Sequence, residues 1–417
     1  MLNRRTLLGT STALAAAGMS QAGAQQRGEP LRIALIDPMS GLLANAGDGG
    51  LKHMQFAAEK VNDRGGVLGG RRLEVAGFDG KANAQESVTQ LRAVIDQGIR
   101  VVVQGNGTHV ALALIEAIER HNQRNPGQEV IYLNYAAVDP VLTNERCSYW
   151  HFQFDANSAM KLKALTSSLS ANRDLKRLYL INQDYAFGRG VAKEAEALMK
   201  EVRPDVEIVG SDLHPLGRVT DFSPYVAKIQ QSGAQAVLTG NWGSDLSLLV
   251  RAAGDAGLNA GWYTFYAGAI GTPAAIGASG VGKVRIAVRF HDNLGYELND
   301  RDLSARTDEF RKKYGIDFYA GGVFDMFAVF AHAVNQAGSA DMKKVAAALS
   351  GASIPIPGGT LQIRPDNHQA EAPFYVAVLD RGVKLDAEGI GAGWRTEAKF
   401  APDDLRMPTS CRMRTPA

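Results

Sequence analysis

The residues best placed for chemistry form the turn Gly105-Asn106-Gly107-Thr108, which lies between a predicted strand and a predicted helix. Free backbone amides and the positive end of the helix dipole favour an anion there, and glycine lets a ligand approach the backbone closely. The turn is a poor dinucleotide fingerprint, because Val110 stands where the third glycine would be. We therefore predict a site for a ligand carboxylate, with a plain tight turn as the alternative.

Aromatic and small residues follow several other predicted strands. Ligands of open α/β sheets bind at the carboxyl ends of the strands, where these loops lie. Aromatic rings there predict a ligand site with an apolar wall and a few hydrogen-bonding groups, although any one ring could instead cap the core of its own lobe. The candidates are Ala136 and Ala137 in the first half of the chain, and Tyr185, Phe187, Trp242 and Tyr266 in the second.

Motifs of catalysis are absent from the sequence. There is no Gly-x-Ser-x-Gly elbow, no His-Glu-x-x-His, no phosphate loop and no Cys-x-x-Cys, and the eight histidines are scattered singly. We predict no catalytic residue, no cofactor and no metal site. The net charge of +2 comes from interspersed acids and bases without a basic stripe, which argues against a nucleic-acid partner.

The elements that position these loops alternate between short β-branched runs and longer amphipathic segments, and this pattern predicts helices packed on parallel sheets. Two such blocks in tandem predict two doubly wound, Rossmann-like lobes. The segments after Lys283 change order and are predicted to return to both lobes, so that the crossing strands form a hinge. Lobe one is predicted at residues 31–151 plus 289–350, and lobe two at residues 152–288 plus 351–400.

The N-terminus reads as an export signal over residues 1–24. Arg4-Arg5 precede an apolar, small-residue run that ends before a cleavage site near Ala24. The paired arginines favour the twin-arginine type, with ordinary Sec export or a buried helix as alternatives. We therefore expect a periplasmic protein without a lipid anchor and without stable membrane insertion of the mature chain.

Two cysteines are present, Cys147 and Cys411. In an oxidising compartment a disulfide persists, so we expect them to pair and to tie down the C-terminal tail at residues 401–417. Closing so long a loop stabilises the fold by roughly 4–5 kcal/mol in the chain-entropy model. Two unrelated buried thiols are the alternative.

The order of these motifs resembles the leucine/isoleucine/valine-binding proteins, the type I periplasmic solute receptors of branched-chain amino acid ABC transporters. The resemblance covers nearly the whole mature chain. It implies a type I periplasmic binding protein fold, closure of two lobes on a small-molecule ligand, and docking on a membrane permease. The segments that carry it are Met39-Ser40-Gly41, residues 65–70, residues 184–188, residues 251–258 and Phe324-Asp325-Met326.

The resemblance also implies how a ligand would be held. In that family the turns after the third and fourth strands bind the ligand carboxylate, and here they read Asn106-Gly107-Thr108 and Ala136-Ala137-Val138. An acid from lobe two usually takes the ligand ammonium, but Tyr266 stands at that position. Asp325 or Asp245 is then the expected counter-charge. If neither lines the cleft, an aromatic or aliphatic carboxylate becomes the better ligand, because a buried ammonium needs a partner.

Together these observations predict the solute-binding protein of an ABC transporter. Its ligand would be a small amphipathic carboxylate, either an amino acid or an aromatic acid. A periplasmic ligand sensor that feeds a signalling receptor is the alternative, since the fold would be the same. An enzyme on this scaffold is disfavoured, because no nucleophile and base pair is visible.

Overall fold

The computed structural model describes residues 28–416, and the predicted export signal at residues 1–24 lies outside them. The first elements are strands β1 (Leu31–Asp37), β2 (Leu73–Asp79), β3 (Val101–Gln104), β4 (Ile131–Asn134) and β5 (His151–Gln153), with helices α1 (Ala44–Asp63), α2 (Ala84–Asp96) and α3 (Thr108–Arg124) between them. The strands form one parallel sheet in the order β2-β1-β3-β4-β5. Every residue of β3 and β4 is buried, as in parallel strands covered on both faces.

The chain then builds a second parallel sheet. Its elements are α4 (Ser158–Ala171), β6 (Arg177–Gln183), α5 (Ala186–Val202), β7 (Glu207–His214), α6 (Ser223–Gln231), β8 (Ala236–Thr239), α7 (Gly243–Asp255), β9 (Gly261–Thr264), α8 (Thr272–Ile276) and β10 (Val284–Val288). Strands β6 to β10 are parallel. Both sheets turn the carboxyl ends of their strands toward a shared cleft.

The next elements return to the first lobe. They are α9 (Leu294–Glu297), α10 (Arg301–Tyr314), α11 (Gly322–Ala337), α12 (Met342–Leu349) and the small antiparallel sheet of β11 (Ser353–Ile356), β12 (Gly359–Ile363) and β13 (Ala370–Glu371). Side chains of α11, Phe327 and Phe330 among them, are buried in the core that also holds Ile33 and Val102 of the first sheet. Lobe one is thus completed by a distant part of the chain.

The last elements complete the second lobe. Strands β14 (Phe374–Asp380) and β15 (Gly393–Phe400) add antiparallel strands to one edge, so that its order is β15-β14-β10-β9-β8-β6-β7. The short helix α13 (Pro402–Leu405) follows. Strand β15 was not predicted from the sequence; its alternation of exposed and half-buried residues begins only after Trp394.

The predicted boundary at residue 351 is wrong. It places residues 353–371 in lobe two, but Leu361 and Ile363 are fully buried in the core of lobe one. The chain crosses to lobe two only between Glu371 and Phe374, whose side chain packs in the second core. The sequence pattern of a short antiparallel sheet is the same whichever lobe it packs on. The pattern therefore does not show which core this sheet covers.

Cys147 and Cys411 form a disulfide with the sulfur atoms 2.03 Å apart. The bond joins the C-terminal tail to the segment before β5, and so to lobe one. The alternative of two separate buried thiols therefore does not hold. Within residues 28–416, none of the helices is long and apolar enough to cross a membrane.

Candidate ligand-binding cleft

A cavity of about 390 Å³ lies between the lobes at the carboxyl ends of the strands, and we call it the ligand cleft. Nine of the ten residues predicted to contact a ligand line it, and their contact with a ligand stays a prediction. They are Asn106, Gly107, Thr108, Ala136 and Ala137 from lobe one, and Tyr185, Phe187, Trp242 and Tyr266 from lobe two. The tenth, Asp325, lies elsewhere.

The turn after β3 is held by the protein's own Asp37, at the end of β1. Its Oδ1 accepts hydrogen bonds from the amides of Asn106 (3.1 Å) and Gly105 (3.3 Å), and its Oδ2 accepts one from the Tyr135 hydroxyl (2.6 Å). Two amides of the predicted anion site are therefore already occupied. Burial raises the pKa of Asp37 to about 6, although these hydrogen bonds oppose the shift.

The start of α3 is not occupied by Asp37 and can still bind a ligand. Gly107 is the residue before the helix and has φ of 101°, a conformation that glycine adopts without strain. Thr108, the first helical residue, is buried and lines the ligand cleft. The free amides at a helix start and the positive end of the dipole favour an anion beside it.

Aromatic rings form the wall from lobe two. The indole Nε1 of Trp242 donates a hydrogen bond to the Tyr185 hydroxyl (2.9 Å), which fixes both side chains. Phe187 is 3% exposed and packs on Tyr185 and on Phe265 beneath, so it serves the core of its lobe as much as the cleft. The Tyr266 hydroxyl has no hydrogen-bond partner among the described residues.

Four helices begin at the ligand cleft. Residues from the first turns of α1, α3, α5 and α7 line it: Asn45 and Ala46, Thr108, Phe187, and Gly243 with Ser244. Each helix start carries roughly half a positive charge from its aligned peptide dipoles. Each of these helix starts therefore favours negative charge on a ligand beside it.

Arg251 is the one charged side chain that lines the ligand cleft among residues 28–416. It is exposed at the mouth and has no ion-pair partner within that range. Arg251 is not among the ligand contacts predicted from the sequence. The signal was present, since Ser244, Ser247, Leu248 and Arg251 recur at helical spacing and so share the face of α7 that meets the cleft.

Neither acid proposed as the counter-charge of an ammonium lines the ligand cleft. Asp325 accepts a hydrogen bond from Arg289 Nη2 (2.9 Å), and both side chains are largely buried in an ion pair. Asp245 is buried at the start of α7, where its Oδ2 accepts from Gln183 Nε2 (2.9 Å) and from the Gly217 amide (2.8 Å). The cleft thus offers positive charge and no described carboxylate.

The sequence model of a family described as periplasmic binding protein matches residues 30–384 of the chain. The chain belongs to this family. The periplasmic binding protein is 32% identical, over 97% of both chains, to the "Leu/Ile/Val-binding protein homolog 4" of Brucella melitensis biotype 1. The resemblance to the leucine/isoleucine/valine-binding proteins is thereby confirmed.

Solved structures show the same fold. The closed conformation of the leucine-, isoleucine-, valine-, threonine- and alanine-binding protein from Brucella ovis is 30% identical and superposes with a TM-score of 0.82, over 93% of this chain and 100% of that one. A solute-binding protein of an ABC transporter from R. palustris, solved with benzoate, is 19% identical with a TM-score of 0.72, over 88% and 98%. The predicted type I fold of two doubly wound lobes is confirmed.

The family sets the broad function of this periplasmic binding protein. Its members bind small-molecule solutes, are normally periplasmic and usually work with ABC permeases, and the class is not enzymatic. The role predicted from the sequence, a solute-binding protein, agrees with this. Which solute it binds depends on the residues of the ligand cleft.

Proposed function

We propose that this periplasmic binding protein captures small organic carboxylates, aromatic ones above all, and delivers them to the permease of an ABC transporter. One observation carries the proposal: the ligand cleft combines four helix starts, Arg251 and an aromatic wall with no carboxylate among its described lining residues. An α-amino acid would bury its ammonium without a counter-charge, which costs several kcal/mol. A carboxylate without an ammonium avoids that cost.

Binding would proceed by closure of the lobes. The carboxylate first meets Thr108 and the adjoining Ala136–Ala137 loop of lobe one, and Trp242 with Tyr266 then covers the ring from lobe two. Closure follows because the ligand contacts both lobes only in the closed form. The benzoate bound by the R. palustris protein is a ligand of this chemistry on the same fold.

Delivery to a permease requires export, for which residues 1–24 are the proposed twin-arginine signal. Replacement of Arg4 and Arg5 by lysine should keep the protein out of the periplasmic fraction of cells. An unchanged distribution would point to ordinary Sec export.

Isothermal titration calorimetry of the mature protein tests the ligand class. Benzoate and 4-hydroxybenzoate should bind, and leucine and valine should bind much more weakly. Arg251→Ala should weaken benzoate binding by about two- to fivefold, as expected for an exposed charge, and the loss should shrink at high salt. Lys200→Ala, an exposed cation outside the cleft, is the matched control. Tight binding of leucine with no response to the aromatic acids would contradict the proposal.

A further inference from the structure

A second cavity of about 150 Å³ adjoins the ligand cleft on its hinge side, and we call it the hinge cavity. It lies between the crossing segments at residues 154–155 and 288–292. Five residues border both cavities: Tyr135, Ala136, Tyr266, Ala269 and Tyr319. The two spaces are therefore neighbours that share one wall of three tyrosines and two alanines.

The hinge cavity is walled mainly by apolar side chains, including Phe154, Phe265, Ile286, Phe290 and Trp394. An apolar cavity of about this volume is large enough to bind benzene in an engineered protein. The hinge cavity therefore has the size and the surface that suit one phenyl ring.

The charged side chains on its wall are already engaged within the protein. Lys161 lies 2.9 Å from Asp155, and Asp317 lies 2.6 Å from Arg311. Arg289 pairs with Asp325. A charged ligand group would have to displace one of these partners, whereas an apolar group needs no such exchange.

Two hydroxyl groups that can hydrogen-bond to a ligand lie where the two cavities meet. The hydroxyls of Tyr266 and Tyr319 form no hydrogen bond with any residue in the range 28–416. Both side chains are half-buried and border both cavities. Ligand atoms that pass between the cavities can therefore hydrogen-bond to these hydroxyls.

We propose that the ligand cleft and the hinge cavity form one site with two compartments, and that its ligand is an arylalkanoate. The carboxylate stays in the ligand cleft, a short methylene chain passes Tyr266 and Ala269, and the phenyl ring occupies the hinge cavity. This proposal rests on the proposed function, carboxylate binding, and narrows its ligand class. A ring attached directly to its carboxylate, as in benzoate, is too short to fill both compartments.

Titration of the mature protein with benzoate, phenylacetate, 3-phenylpropanoate and 4-phenylbutanoate tests the proposal. Affinity should rise along the series by roughly ten- to a hundredfold, because the longer acids bury a whole ring in apolar surroundings. Ala320→Leu fills the hinge cavity without lining the ligand cleft, and it should abolish this gain while leaving benzoate binding unchanged.

Gly322→Leu provides a second filling variant. A Cβ at Gly322 meets only Arg289 Cβ, at an ordinary 3.9 Å, so the backbone accepts a side chain there. Thermal melting shows that each variant is folded before titration. Benzoate binding with no gain along the series would overturn the two-compartment site and leave the proposed function intact. A gain that survives both filling variants would overturn it as well, and no binding of any acid would overturn both proposals.

Discussion

The carboxyl group of Asp37 should make the protein less stable as pH rises. It is 1% exposed, and burial raises its pKa from the usual 3.8 to about 6. Because the folded state binds the proton more tightly, the stabilisation is fully present below pH 3.8 and is lost as pH rises through 6. Two pKa units correspond to about 3 kcal/mol, of which about 2 kcal/mol falls between pH 4.5 and pH 7.5.

Urea unfolding of the mature protein at those two pH values measures this term. Asp37→Asn keeps an oxygen for the amides of Gly105 and Asn106 but cannot titrate. The free energy of unfolding of the variant, relative to that of the wild type, should therefore be about 2 kcal/mol higher at pH 7.5 than at pH 4.5. Asp79→Asn is the matched control from the paired strand position, with the opposite sign. Desolvation raises the pKa of Asp79, but the hydrogen bonds from Ser40, Met39 and Lys81 together outweigh it and hold the pKa below its usual value. The contribution of Asp79 to stability is therefore lost as pH falls.

Identical pH dependence of the wild type and Asp37→Asn would refute this reasoning. It would mean that the carboxyl is hydrated in solution or that its hydrogen bonds cancel the effect of burial. The turn after β3 would then be held by something other than a buried, partly protonated acid.

Three further predictions concern residues whose roles differ. Trp242→Ala should weaken carboxylate binding by roughly ten- to a hundredfold, because it removes the largest ring of the aromatic wall, and calorimetry checks this. Asp325→Ala should leave the affinity for benzoate nearly unchanged, because neither Asp325 nor Arg289 lines the ligand cleft. It should cost about 3–5 kcal/mol in urea unfolding, because it leaves the buried Arg289 without its ion-pair partner, and replacing both residues by apolar ones should restore most of the stability. Replacing Cys147 and Cys411 by serine should cost about 2–4 kcal/mol of stability without a loss of affinity, which is less than the chain-entropy value because measured effects usually fall short of that model. Equal stability would show that the tail is held by other contacts.

Much of the site could be predicted because the rule behind it is local. Parallel strands bring their carboxyl ends to one edge of their sheet. The loops after β3 and β4 therefore share an edge in lobe one, and the loops after β6 and β8 share an edge in lobe two. Gly107 and Trp242 were found in this way without any knowledge of their partners. The same rule placed the aromatic wall opposite the turn, since each lobe repeats the pattern.

What the sequence could not reveal depends on partners far along the chain. Asp37 accepts a hydrogen bond from the backbone amide of Asn106, which lies 69 residues further along the chain. Asp325 pairs with Arg289, which lies 36 residues before it. A single acid in a loop looks the same whether it faces a ligand or a buried arginine. For the same reason the pattern of Leu361 and Ile363 identified a strand but not the core that it covers.

Because the lobes close on the ligand, its affinity depends on whether it is long enough to contact both of them. His109 of lobe one faces Tyr185 of lobe two, and their ring centroids lie 6.4 Å apart. A ligand shifts the population toward the closed form only by the free energy of the contacts it makes in that form alone. The start of α3 and the aromatic wall belong to different lobes, so a carboxylate that touches Thr108 without reaching Trp242 binds the open and closed forms alike. The cleft therefore selects acids long enough to contact both lobes.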